Sequence, residues 1–108
     1  MTESEEQSAF VKWLELSYPN ERFFAIPNEG KRNIATAMRM KREGLKAGVP
    51  DMYFPRLKLW IEMKKRKGGQ LTKAQKSWIE YLKDIGDDVH VCKGFEEARD
   101  VFLRYYSI

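Results

Sequence analysis

The feature that most constrains the fold is an alternating stretch, LKLWIEMKK, at residues 57–65. It lies between Pro55 and the pair Gly68-Gly69, which favour chain breaks, so it predicts a β-strand with defined ends. Because side chains alternate along a strand, its odd positions form one apolar face that requires a core. Its even positions face outward and place the carboxylate of Glu62 beside the amine of Lys64.

Helical and strand-like patterns alternate along the rest of the chain. They predict helices at 3–17, 33–43, 73–85 and 96–106, and further strands at 22–26, 51–54 and 89–92. The third helix begins with a capping box formed by Thr72 and Gln75. A length of 108 residues suits one domain covering 1–108. We therefore expect an α/β fold in which helices flank one mixed sheet.

Charge is distributed unevenly along the sequence. Residues 1–30 hold 2 basic and 6 acidic side chains, residues 31–76 hold 14 and 3, and residues 77–108 hold 4 and 7. The strongly basic middle segment is typical of a nucleic-acid partner, and a solvated face that aids solubility is the alternative. No stretch is long and apolar enough for a membrane span or a signal sequence, so we expect a cytoplasmic protein without a membrane partner.

Two of the three carboxylates in the basic segment belong to one candidate constellation. Asp51 follows Pro50, and Glu62, Met63 and Lys64 follow on the next strand. Divalent cations such as Mg²⁺ or Mn²⁺ take oxygen ligands, which the two carboxylates and the Met63 backbone carbonyl can supply. The lysine can stabilise charge on a phosphate or orient an attacking water. A salt bridge between Glu62 and Lys64 is the alternative, although such pairs contribute about 1 kcal/mol or less.

Four stretches carry a resemblance to a known family: IPNEGKRN (26–33), GLKAGVPDMYFP (44–55), LWIEMKKRKGGQLTKAQKSWIEYL (59–82) and, more weakly, GDDVHVCKGFEEA (86–98). The chain resembles a stand-alone VRR-NUC domain of the PD-(D/E)xK nuclease superfamily, of the phage or bacterial type. The resemblance implies a restriction-endonuclease-like core, a four-stranded mixed sheet flanked by helices. It further implies Mg²⁺- or Mn²⁺-dependent cleavage of DNA, without an organic cofactor, by a homodimer that acts on branched DNA such as four-way junctions.

The resemblance also assigns residues. The metal-binding acids fall on Asp51 and Glu62, the catalytic lysine on Lys64 and a helix glutamine on Gln75, for which a purely capping role is the alternative. Residues expected to contact the DNA backbone come from two segments: Asn28, Lys31, Arg32, Lys65, Arg66 and Lys67. A plain polar loop is the alternative for the first three.

The family carries a further acid on its first helix, for which Glu3, Glu5 and Glu6 compete here. We favour Glu6 as the metal ligand, because it precedes Phe10 and Leu14 by helical steps and so lies at the edge that faces the sheet. The alternative is a carboxylate that only favours the N-terminal helix dipole.

Two further functions remain open from the sequence. In the first, the acidic pair is structural and the chain is a non-catalytic basic DNA-binding module. In the second, the chain is a sequence-specific restriction enzyme, for which 108 residues leave little room for a recognition domain.

Overall fold

The computed structural model describes residues 1–27 and 33–106. Within them the helices and strands follow the predicted order. They are α1 (Glu3–Ser17), β1 (Phe24–Ala25), α2 (Ile34–Arg42), β2 (Met52–Phe54), β3 (Leu59–Lys64), α3 (Lys73–Asp84), β4 (Asp88–Lys93) and α4 (Phe95–Leu103), with 3₁₀ turns at Pro55–Leu57 and Arg104–Tyr106.

The four strands form one mixed sheet in the order β1-β2-β3-β4. The pairs β1–β2 and β2–β3 are antiparallel, and β3–β4 is parallel. Helix α3 therefore lies in the crossover between the two parallel strands, as a parallel pair requires. This arrangement confirms the predicted mixed α/β fold.

One face of the sheet carries the hydrophobic core. Leu59, Ile61 and Met63 of β3 are fully buried, as the alternating pattern predicted. They share a cluster with residues of α1 and α4, in which the rings of Phe10 and Phe102 lie 6.5 Å apart. Helices α1 and α4 thus cover this face of the sheet.

The opposite face of β3 differs from the prediction. It was predicted to face outward, but Glu62 is 1% exposed and Lys64 is 7% exposed. Gln75 of α3 lies against both side chains, within hydrogen-bond distance. The charged pair is consequently enclosed between the sheet and a helix.

The start of β3 also differs from the prediction. Pro55–Leu57 form a 3₁₀ turn, and Lys58 adopts a left-handed conformation with φ of 49°. This conformation interrupts an extended chain, so the strand begins at Leu59 rather than at Leu57.

Two capping boxes fix the first turns of helices that carry candidate site residues. The Thr72 hydroxyl accepts from the Gln75 amide of α3 as predicted, and Thr2 and Glu5 cap α1 in the same way. Such caps satisfy amides that a helix leaves without internal partners. Glu3 and Gln75 therefore project from well-defined helical turns.

Candidate active site

The candidate site lies where the chain enters β2 beside the second half of β3. Asp51 immediately precedes β2, and its Oδ2 accepts a hydrogen bond from the Met63 amide at 2.7 Å. Each of Glu3, Asp51 and Glu62 offers a carboxylate oxygen, and these oxygens lie within 4.8 Å of one another. The structure thus brings together the two acids that the sequence predicted, with a third from α1.

The third acid is Glu3, and this corrects the choice of Glu6. Glu6 is fully buried, and its carboxylate accepts from Arg66 Nε at 2.7 Å and from the Phe95 amide at 2.9 Å. Because Glu6, Phe10 and Leu14 recur at four-residue steps, Glu6 belongs to the buried stripe of α1. Glu3 lies about one helical turn earlier.

The contacts of Lys64 and Gln75 agree with their predicted place at the site. The Lys64 ammonium lies 3.1 Å from Gln75 Oε1 and 3.8 Å from Glu62 Oε2. The Gln75 amide nitrogen donates to Glu62 Oε2 at 3.3 Å, and Gln75 Oε1 also accepts from the Thr72 amide at 2.9 Å. Gln75 therefore belongs to the cap of α3 and to the site at the same time.

Burial and the proximity of the acids disfavour the ionised form of the carboxylates at the site. Burial, followed by repulsion from Asp51, raises the pKa of Glu62 to about 9. Burial also raises the pKa of Asp51, against hydrogen bonds from the Met63 amide and Glu62. Within the described part of the chain, Oε1 of Glu62 is buried without a hydrogen-bond partner.

These features fit a hard divalent cation. A bound cation removes the cost of ionising neighbouring buried carboxylates, and it supplies the partner that the orphaned oxygen of Glu62 lacks. Oxygen atoms are the ligands that Mg²⁺ and Mn²⁺ prefer. Glu3, Asp51 and Glu62 are the residues that would hold such an ion.

The Met63 carbonyl has a direction compatible with its predicted role. The Lys64 carbonyl accepts from the Gly94 amide at 2.9 Å and so points towards β4. Because successive carbonyls of a strand point to opposite edges, that of Met63 faces the β2 side, where the Met63 amide binds Asp51. Its role as a ligand stays a prediction.

An open cavity of about 280 Å³ gives access to the site. Its lining includes Glu3, Asp51, Glu62 and Gln75 together with the exposed Lys46. A wider groove of about 770 Å³ continues from Glu3 and Asp51 along α1. An extended ligand can therefore reach the acids from the solvent.

The residues predicted to contact DNA have different surroundings in the structure. Lys65 and Lys67 are exposed beside the site, whereas the Arg66 guanidinium is paired with Glu6 and also lies 3.4 Å from Glu96. This pairing ties Arg66 to α1 while its side chain stays 49% exposed, and its contact with DNA stays a prediction. Asn28, Lys31 and Arg32 lie outside the described residues.

Sequence reasoning missed or misassigned two residues. Glu3 could have been chosen over Glu6, because the four-residue spacing from Glu6 to Phe10 and Leu14 marks Glu6 as buried. Lys46 lies within the matching stretch 44–55 but was assigned no role, since its place depends on how the loop before Pro50 packs. There Gly48, at φ of 92°, approaches the backbone of Ala74 so closely that a Cβ atom would lie 2.5 Å from it.

Comparisons with known proteins agree with this geometry. The family model for the VRR-NUC domain matches residues 1–96. A solved structure described as a VRR_NUC domain protein aligns with a TM-score of 0.82 and 30% sequence identity, covering 97% of this chain and 88% of that one. A search of curated proteins finds no match. The chain, with its acids gathered at the edge of a four-stranded mixed sheet, therefore belongs to the VRR-NUC family of nuclease-type domains.

Proposed function

We propose that this protein is a divalent-metal-dependent endonuclease that hydrolyses DNA phosphodiester bonds. The observation that carries the proposal is the convergence of three carboxylates in one accessible cavity, with the buried Lys64 ammonium 3.8 Å from Glu62 Oε2. A fold that keeps a cluster of mutually repelling acids bears a cost in stability, which is typical of functional sites. Membership in a nuclease-type family supports the same chemistry.

Each side chain has a distinct role in this proposal. Glu3, Asp51 and Glu62 hold the metal, whose chemistry is to lower the pKa of a bound water and to neutralise charge on the scissile phosphate. Lys64 stabilises the negative charge that develops on the phosphate, or orients the attacking water. Gln75 orients Lys64 and Glu62 through its hydrogen bonds to both.

Exposed cations around the cavity would contact the DNA backbone. Lys46 lines the cavity itself, and Lys65 and Lys67 follow Lys64 directly along the chain. Such residues bind phosphate without reading sequence. Asn28, Lys31 and Arg32 remain proposed contacts on the same grounds of charge and polarity.

A preference for branched DNA and a homodimer form part of the proposal. A four-way junction has two-fold symmetry and needs paired cuts, and symmetric dimers are the commonest homo-oligomers. Helix α2 has no buried residue within the described structure and exposes Ile34 and Met38, four residues apart, which supports its contact with a second copy. Sedimentation at micromolar concentration tests this, and a monomer mass would contradict the dimer.

A cleavage assay tests the proposed reaction. Linear, flap, splayed and four-way DNA substrates are incubated with Mg²⁺ or Mn²⁺ and with an EDTA control. Wild-type protein is compared with Glu62→Gln and Lys64→Ala, and with the matched surface variants Glu80→Gln and Lys83→Ala, which alter exposed residues of α3. We expect cleavage that requires metal and that only the two site variants abolish.

Two results would overturn parts of the proposal. Tight DNA binding by every variant without metal-dependent cleavage would favour a non-catalytic basic DNA-binding module. Equal cleavage of linear and branched substrates would leave the nuclease activity in place and remove the structure preference.

A further inference from the structure

An ion pair at the back of the candidate site joins three elements of the fold. Arg66, two residues beyond Lys64, donates to Glu6 of α1 through Nε at 2.7 Å and Nη2 at 3.4 Å. Glu6 also accepts from the Phe95 amide at the start of α4. One carboxylate therefore holds α1 against the end of β3 and the first turn of α4.

The surrounding packing leaves this ion pair little freedom. Gly94 has φ of 91°, and a Cβ atom there would lie 2.8 Å from Arg66 Cγ and 3.3 Å from Glu6 Oε2. The Gly94 amide is bound to the Lys64 carbonyl, which extends the β3–β4 ladder up to the pair. Glu6 is fully buried, so its charge depends on these partners.

The same pair fixes the part of α1 that supplies a carboxylate to the site. Glu3 and Glu6 are three residues apart, about one helical turn, and therefore lie on neighbouring parts of the helix surface. Glu62 and Lys64 stand on the strand that leads into Arg66. The ion pair between Glu6 and Arg66 therefore helps, together with the core contacts of Phe10 and Leu14, to place the helix of Glu3 beside the strand of Glu62.

We propose that Glu6 and Arg66 are positioning residues that hold Glu3 in place to share a divalent cation with Asp51 and Glu62. This inference rests on the proposed metal site and deepens it. Groups that orient metal ligands commonly contribute about 10- to 100-fold to metal affinity. A pair that only stabilised the fold would leave the affinity of the folded protein for metal unchanged.

Calorimetric titration of the DNA-free protein with Mn²⁺ tests the inference, at a temperature well below unfolding. The variants are Glu6→Gln, Arg66→Ala and the double variant, with Lys83→Ala as the control that removes an equal charge from an exposed position of α3. We expect both single variants to weaken Mn²⁺ binding about tenfold. The double variant should bind Mn²⁺ no more weakly than either single variant, because the two substitutions remove the same interaction. Lys83→Ala should bind Mn²⁺ as the wild type does.

The outcomes separate this inference from the proposed function. Wild-type binding of Mn²⁺ with equal binding by both single variants would overturn the positioning role alone. Absence of Mn²⁺ binding by the wild type would overturn the proposed metal site and the inference with it. If Arg66→Ala does not fold, Arg66→Lys takes its place beside Glu6→Gln. The lysine keeps the positive charge but loses the two-pronged guanidinium donor. Unchanged affinity in both would again contradict the inference.

Discussion

Two buried glutamates define two different regions of this molecule. Glu6 is 0% exposed and Glu62 is 1% exposed, so burial alone does not distinguish them. Glu6 accepts from Arg66 and from the Phe95 amide, and Arg66 holds the pKa of Glu6 below its usual value. Glu62 lies beside the acids Asp51 and Glu3, and burial with repulsion from Asp51 raises its pKa to about 9 despite the nearby Lys64 ammonium.

The difference shows what marks a site in this fold. A buried carboxylate with donors on both oxygens is part of the structure, because the fold already supplies its counter-charge. A buried carboxylate with an orphaned oxygen and acidic neighbours lacks a cation that must come from outside. The predictions below test this contrast between Glu6 and Glu62.

The largest expected effect is a difference in DNA cleavage between variants of the two glutamates. Glu62→Gln should lower DNA cleavage about 1,000-fold or more, since a metal at the reacting centre contributes several kcal/mol and 1.36 kcal/mol corresponds to tenfold. Glu6→Gln should lower it only about tenfold, through the position of Glu3. Single-turnover cleavage at a fixed Mg²⁺ concentration below saturation measures both, and equal losses would remove the contrast.

The second effect concerns stability and pH in the presence of a chelator. The pKa of Glu62 is raised in the folded protein, so between about 4.5 and about 9 the folded state binds more protons than the unfolded state. The free energy of unfolding should therefore fall as pH rises through this window. The raised pKa of Asp51 acts in the same direction. Urea unfolding measured at several pH values tests this.

The two glutamates should again differ in that experiment. Glu62→Gln should flatten the dependence on pH, because an amide cannot titrate. Glu6→Gln should retain it, since the lowered pKa of Glu6 places its titration below this window. A wild-type protein that gains stability between pH 5 and pH 9 in EDTA would contradict the assigned burial of an acidic cluster.

A smaller effect should follow from removing the amide that joins the cap of α3 to the site. Gln75→Ala releases Lys64 and Glu62 from a common partner, and we expect cleavage to fall about 10- to 100-fold. The lost cap should also lower stability by up to about 1 kcal/mol. Gln70→Ala is the matched control, because Gln70 is exposed. A loss of stability without a loss of cleavage would make Gln75 a capping residue only.

The smallest expected effect is a difference in the salt dependence of DNA binding between variants of Lys67 and Arg66. Lys67→Ala should reduce the slope of log affinity for DNA against log salt concentration by about 0.9, the amount for one phosphate contact on a duplex. Arg66→Ala should change this slope less, because Glu6 already neutralises the guanidinium. Fluorescence anisotropy with labelled duplex, without metal, gives both slopes. Equal reductions of the slope by the two variants would mean that Arg66 also contacts DNA.

The order of elements could be predicted because it depends on local patterns. The alternation of β3, the capping box at Thr72 and the chain breaks at Pro55 and Gly68-Gly69 each act within a few residues. The pair Asp51 and Glu62 could be predicted because a strand fixes the direction of each side chain. What the alternation did not reveal is that the polar face of β3 is buried under Gln75.

The choice between Glu3 and Glu6 depended on contacts that are distant in the sequence. The partner of Glu6 is Arg66, 60 residues away, and its second donor is the amide of Phe95, 89 residues away. A run of basic residues from Lys64 to Lys67 gives no sign that Arg66 pairs with the buried Glu6, since the Arg66 side chain is still 49% exposed. Only the packing at Gly94, where two strands and two helices meet, selects Arg66.

The most direct test of the account is a crystal structure of the protein with Mn²⁺, read from the anomalous signal of the metal. We predict an ion bound by carboxylate oxygens of Glu3, Asp51 and Glu62 at about 2.2 Å, with Glu6 still paired to Arg66. An ion held by Glu6, or a metal-soaked crystal in which these three acids bind no ion, would contradict it.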